Sequence, residues 1–150
     1  MTTTITEIAS GLKYPEGPVA MPDGSFILVE IARGTLTRVR SDGLVEVIAD
    51  LGGGPNGAAI GPDGYCYVCN NGGGDYYEED GQLLFVDGRS SSYSGGRIER
   101  VNLETGEAGV IYDSCNGHRL ASPNDIVFDT EGGFWFTDFG QTRERERDLG

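Results

Sequence analysis

Three blocks of the chain lie in register without a gap: "PEGPVAMPDGSFILVEI" from Pro15, "PNGAAIGPDGYCYVCNN" from Pro55 and "PNDIVFDTEGGFWFTDF" from Pro123. In each, the polar residue after proline stands seven positions before an acid-glycine pair, Asp23-Gly24, Asp63-Gly64 or Glu131-Gly132, and fourteen before Glu30, Asn70 or Asp138. A spacing kept three times marks a repeat architecture. Each block reads as a β-hairpin: a short strand poor in large side chains, a turn in which glycine supplies positive φ, and a second strand such as "SFILVE" or "GFWFTD".

The first hairpin continues into "GTLTRVRSDGLVEVIAD" and the second into "GRIERVNLETGEAGVIYD", which makes four strands per unit. Four-stranded units of about forty residues predict an all-β fold, a β-propeller whose blades pack around a channel. Blade 1 is expected at 16–50, blade 2 at 56–113 and half of a third blade at 124–140. Residues 72–94, rich in Gly, Ser and acids, interrupt blade 2 and are expected to form a surface loop or lid. The segment "ITEIASGL" matches the fourth strands "VEVIADLG" and "GVIYDSC", so residues 4–10 are expected to be the outer strand of the last blade. The run "TRERERDLG" reads as a loop or short helix. Two blades, half a third and an orphan strand do not close a ring. The expectation is half a protein: either a missing carboxy-terminal half completes it, or two copies close the ring as a homodimer.

Composition narrows the partners. Eleven basic residues against 24 acidic ones give a net charge of -13, which argues against a nucleic-acid backbone or an anionic membrane surface and permits a cation site. Cys66 and Cys69 have unlike parity on one expected strand and so face opposite sides, and all three cysteines, Cys115 included, read as reduced core thiols. "MTTTITEIAS" has neither the basic nor the apolar part of a signal peptide, and no eighteen apolar residues run together, so a cytoplasmic location is expected.

In a propeller the first strand of each blade lines the channel, so Glu16, Asn56 and Asn124 are expected to converge at one of its ends. A carboxylate with amide oxygens suits Ca²⁺ or Mg²⁺ better than softer ions. The preceding proline fixes the backbone approach, and glycine after Glu16 and Asn56 allows the main chain to come close. The plainer reading makes all three turn residues, since Asn, Pro and Gly are common turn formers. Glu16 tips the balance, because turn chemistry does not prefer Glu there.

The stretches "YPEGPVAMPDGSFILVEI", "GGGPNGAAIGPDGYCYVCNN", "SGGRIERVNLETGE" and "SPNDIVFDTEGGFWFTDFG" together resemble the amino-terminal half of the SMP-30/gluconolactonase/luciferin-regenerating-enzyme family. The resemblance implies a six-bladed propeller with a divalent cation, usually Ca²⁺, in its channel, and hydrolysis of sugar lactones or, in a related branch, organophosphates. It implies that Glu16 is a metal ligand and that Asn124 binds metal or orients substrate. Two further ligands, an Asn and an Asp of later blades, are implied outside this chain. Where one branch of the family has a substrate-contacting Arg, this chain has Ser122.

Lactone hydrolysis requires a polarised carbonyl, a delivered water and a protonated leaving oxygen. No G-x-S-x-G elbow is present, so metal-assisted attack by water is expected rather than an acyl-enzyme. His118, the only histidine, is a candidate base near the channel mouth, against the plain reading of a solvated loop residue. Arg119 is a candidate for a sugar-acid carboxylate, against a surface charge. Asn56, Asn124 and Asp138 are candidate substrate contacts, Asp138 standing equally as a cap or turn residue. Phe134, Trp135 and Phe136 read as blade packing. The competing function classes are another ester hydrolase at the same site and a non-catalytic propeller scaffold.

Overall fold

The structure, a computed structural model, describes residues 2–86, 90–142 and 147–148. It is all-β, with no helix among the described residues. The first sheet takes β1 (Pro15–Ala20), β2 (Phe26–Glu30), β3 (Thr35–Val39) and β4 (Val45–Asp50) in sequence order, every pair antiparallel. The next strands are β5 (Pro55–Ile60), β6 (Cys66–Asn70), the insertion pair β7 (Asp75–Glu79) and β8 (Gln82–Val86), then β9 (Arg97–Val101) and β10 (Ala108–Tyr112). The second sheet skips the insertion and runs β5-β6-β9-β10. A small pair, β11 (Ser114–Cys115) and β12 (His118–Arg119), precedes the third hairpin, β13 (Pro123–Phe128) with β14 (Phe134–Asp138), and β15 (Gln141–Thr142) pairs with β16 (Arg147–Asp148). Most of the "TRERERDLG" run lies outside the described residues.

The repeated acid-glycine pair closes the first two hairpins in one way. Met21 and Ser25, and Gly61 and Tyr65, join across turns in which Gly24 and Gly64 take φ of 82° and 80°, and Asp23 or Asp63 accepts the N–H two residues on. At the third turn the acid is Glu131, and Asp129 takes over, its Oδ1 accepting Glu131 N–H at 2.9 Å and Gly133 N–H at 2.8 Å.

Two apolar clusters form between the sheets, and β6 feeds both because successive side chains point to opposite faces. Cys66 and Val68 join Ile27, Val29, Leu36 and Val101 between the first two sheets. On the other face Cys69 and Tyr67 pack with Ile98, Ile126, Phe134 and Phe136 between the second sheet and the third hairpin. Each such side chain, withdrawn from water, contributes roughly 1.5–3 kcal/mol before entropy is charged against it.

Residues 4–10 are largely exposed and pair with no strand among the described residues. Other expectations are corrected. The 72–94 segment contains the β7–β8 hairpin rather than loop alone, turning at Asp80 and Gly81 with φ of 50° and 75°. Cys115 is exposed, since it sits in the small β11–β12 pair outside either cluster. Trp135 is 70% exposed while its neighbours Phe134 and Phe136 pack inward. Strand alternation turns it with Val127 to the side of the third hairpin away from the second sheet, where its indole N–H donates to Asp129 at 3.3 Å.

Burial pushes the Cys66 thiol up to about 12, and burial, with the charges of Asp125 and Asp138, does the same to Cys69. Thiolate is the reactive form. One equivalent of an aromatic disulfide reagent, consumed at Cys115, is therefore expected to react with the native chain at pH 8, and three after unfolding in guanidinium; three in the native state would contradict this core.

Candidate functional site

Each first strand is fastened just ahead of its proline by the polar residue that ends the second strand. Glu30, fully buried, accepts Lys13 N–H at 2.6 Å and is held by Thr37 Oγ1 at 2.8 Å and by Arg33. Asn70, also fully buried, accepts the N–H groups of Gly54 and Gly72 at 2.9 and 3.0 Å and donates to Gly52 O and to Glu99. Asp138 accepts Ala121 N–H and Ser122 N–H, both at 2.7 Å. The fourteen-residue spacing thus joins the close of one strand to the approach of its partner, and the charged acceptors among the three make the stronger bonds.

Immediately beyond each proline the ladder slips. One extra residue enters between Glu16 and Val19 opposite Val29 and Ile27, between Pro55 and Gly57, and between Pro123 and Ile126. A bulge of this kind breaks strict alternation and re-aims side chains. Consecutive residues therefore face one space, a cleft of about 280 Å³ lined by Glu16, Gly17, Pro18, Asn56, Gly57, Ala58, Asn124 and Asp125. The three equivalent positions do converge.

The strands meet closely there. A Cβ on Gly17, which has φ of 53°, would stand 2.8 Å from Ala58 N, and one on Gly57 would stand 2.5 Å from Asn124 O. The third copy carries Asp125 at this position, and Asp125 thereby brings a second carboxylate to the cleft. Its Oδ1 accepts Ile126 N–H at 2.9 Å. Sequence reasoning missed it because alternation would have sent it away from Asn124; the Pro-Asn-Asp match to Pro-Glu-Gly and Pro-Asn-Gly was the available signal.

Tyr14, just before Pro15, holds a left-handed backbone with φ of 60°, uncommon for a bulky residue and disfavoured ahead of proline. Such a conformation costs on the order of 1–3 kcal/mol and persists where its surroundings impose it. Tyr14 O accepts Ile31 N–H at 3.0 Å, and the Tyr14 ring packs on Tyr76.

The other candidates lie elsewhere. Asp138 spends both oxygens on the backbone of Ala121, Ser122 and Gly140, so its role here is the cap. His118 and Arg119 sit on β12, exposed and outside the cleft lining, because β11 and β12 form their own small hairpin before β13 begins; Arg119 faces Asp113 at 3.5 Å. Among the described residues no group of three or more His, Cys, Asp or Glu side chains gathers to hold a metal. The cleft's donor set is instead mixed: carboxylates of Glu16 and Asp125 with amide oxygens of Asn56 and Asn124, all hard oxygens of the kind Ca²⁺ and Mg²⁺ accept.

Residues 14–150 match the SMP-30/Gluconolactonase/LRE-like region. The chain belongs to this family. A gluconolactonase of Zymomonas mobilis subsp. mobilis is 28% identical over 166 residues, an alignment covering 99% of this chain and 40% of that protein. A gluconolactonase structure from Xanthomonas campestris superposes with a TM-score of 0.66 at 23% identity over 87% of this chain and 37% of its own. Virginiamycin B lyase from Staphylococcus aureus shares the fold at a TM-score of 0.55 and 17% identity, over 86% of this chain and 36% of its own. The chain thus spans less than half the length of these relatives.

Replacing Gly57 by Ala puts a methyl group between two backbones and is expected to destabilise the chain by about 2 kcal/mol, read as a lower urea midpoint at unchanged m-value. An unchanged midpoint would mean that β5 and β13 do not meet as described.

Proposed function

We propose that the cleft is the cation-binding part of a lactone-hydrolysing site, in a propeller closed either by a carboxy-terminal half or by a second copy of this chain. The observation that carries the reading is the convergence of Glu16, Asn56 and Asn124, with Asp125, on one space in a member of this family. Glu16 and Asn124 would hold the ion, and an all-oxygen donor set suits Ca²⁺. A bound divalent cation supplies Lewis-acid polarisation of the lactone carbonyl and acidifies a water.

The chain's own residues have separate tasks. Glu16, with Asp125, brings negative charge to a cleft lined for the rest by amides and small residues. Asn56 and Asn124 each offer one acceptor and two donors, enough to orient the hydroxyls of a sugar-acid lactone while an amide oxygen serves the ion. Asp125 stands beside Asn124 in the cleft lining and is a better candidate than His118, which lies outside it, for taking a proton from water. Arg119 falls outside the site for the same reason of placement.

The likeness to virginiamycin B lyase is one of fold and carries no chemistry to this cleft; residues, not architecture, decide between a hydrolase and a scaffold. A scaffold has no need of Glu16. Buried, unpaired Cys66 and Cys69 accord with a reducing compartment, and a cytoplasmic location is part of the proposal.

The test is hydrolysis of glucono-lactone by the ring-closed protein with Ca²⁺ and with chelator. Glu16→Gln, which keeps shape and removes charge, is expected to lower kcat/KM roughly 100-fold or more, as is chelation. Turnover unchanged in Glu16→Gln would remove the assignment.

A further inference from the structure

Strand direction determines where the insertion after β6 stands. Glu16, Asn56 and Asn124 lie at the beginnings of β1, β5 and β13, and antiparallel pairing returns β2, β6 and β14 to that level at Glu30, Asn70 and Asp138. The segment between Asn70 and Arg97 therefore leaves and rejoins its sheet on the cleft side.

Its described parts touch the approach to every cleft strand. Tyr76 on β7 packs against Tyr14, ring centroids 5.5 Å apart, one residue ahead of Pro15 and Glu16. At the base of the segment Asn71 N–H donates to Gly54 O at 2.8 Å, and a Cβ on Gly73 would stand 3.4 Å from Gly53, just ahead of Pro55 and Asn56. On the returning limb the Tyr93 hydroxyl donates to Ala121 O and accepts Gly96 N–H at 3.2 Å, shortly before Pro123 and Asn124. Ser94 N–H to Gly72 O at 2.8 Å and Ser90 Oγ to Asp75 at 2.5 Å tie the two limbs together.

Tyr14 has the greatest need of such support, since its left-handed backbone ahead of proline is unfavourable by itself. The hydrogen bond to Ile31 fixes its carbonyl, and Tyr76 covers its ring. Tyr76 is in turn backed edge-on by Phe85 of β8, centroids 5.5 Å apart.

We propose that the described parts of this segment, 71–86 and 90–96, form a collar that sets Glu16, Asn56 and Asn124 relative to one another, with Tyr76 and Tyr93 as its positioning residues. Tyr76 holds the backbone that aims Glu16, and Tyr93 holds Ala121 ahead of Asn124. The proposal rests on the reading of the cleft as a cation site and adds what fixes its geometry.

The test uses the ring-closed protein labelled with ¹⁵N, and Ca²⁺ itself as the probe. Ca²⁺ is expected to move the amide signals of Gly17, Asn56 and Asn124, with an apparent Kd raised at least about tenfold in Tyr76→Ala and in Tyr93→Phe. Tyr76→Phe, which keeps the ring, is expected to match the parent. Without Ca²⁺, the Ile31 amide is expected to exchange with deuterium at least about tenfold faster in Tyr76→Ala than in the parent or Tyr76→Phe. Should Tyr76→Ala lose its folded spectrum, Tyr76→Leu takes its place. Ca²⁺ affinity equal to the parent in Tyr76→Ala would overturn the collar while leaving the cation site standing. If the parent itself ignores Ca²⁺, the cation reading falls, and Ile31 exchange decides the collar alone: faster exchange in Tyr76→Ala only sustains it, and equal rates remove it.

Discussion

The structure depends on a hydrogen bond repeated three times, from backbone N–H groups ahead of a proline to the polar side chain that ends the neighbouring strand. Glu30, Asn70 and Asp138 differ in length and charge, yet each reaches the two residues ahead of its proline: Lys13, Gly54, or both Ala121 and Ser122. Proline cannot donate, so the fastening falls on the residues before it. Fastening there fixes where the bulge falls, and the bulge fixes which consecutive residues face the cleft. Remove the fastening and Glu16, Asn56 and Asn124 lose their common level.

A second constraint is room. First strands can share a centre only if their side chains are small where they touch, and Gly17 and Gly57 stand where a methyl group would strike backbone. The crowding that forbids a side chain there also brings Glu16 and the two asparagines within one small space. Structure and chemistry draw on the same short sequence, proline, then a polar residue, then glycine or aspartate.

Much of this was legible because periodicity carries it. The spacing of seven to the turn and fourteen to the clamp placed the three repeated hairpins, and parity placed Cys66 and Cys69 on opposite faces. What escaped depended on departures from periodicity or on neighbours in space. Asp125 joins the cleft through a bulge, which alternation does not foresee. The β7–β8 hairpin was hidden in a run rich in Gly and acids, although Asp80-Gly81 between "DYYEE" and "QLLFV" was a hairpin signal in plain sight. His118 with Arg119 folds into a local pair, which does not follow from composition.

The central claim is that the beginnings of three first strands make one cation site. A crystal structure of the ring-closed protein grown with Ca²⁺, using the anomalous signal to locate the ion, tests it most directly. The account predicts an ion in the cleft with oxygens of Glu16 and Asn124 at about 2.3–2.6 Å. An ion bound elsewhere, or a closed ring in which the Glu16 carboxylate turns out to bulk solvent, would contradict it.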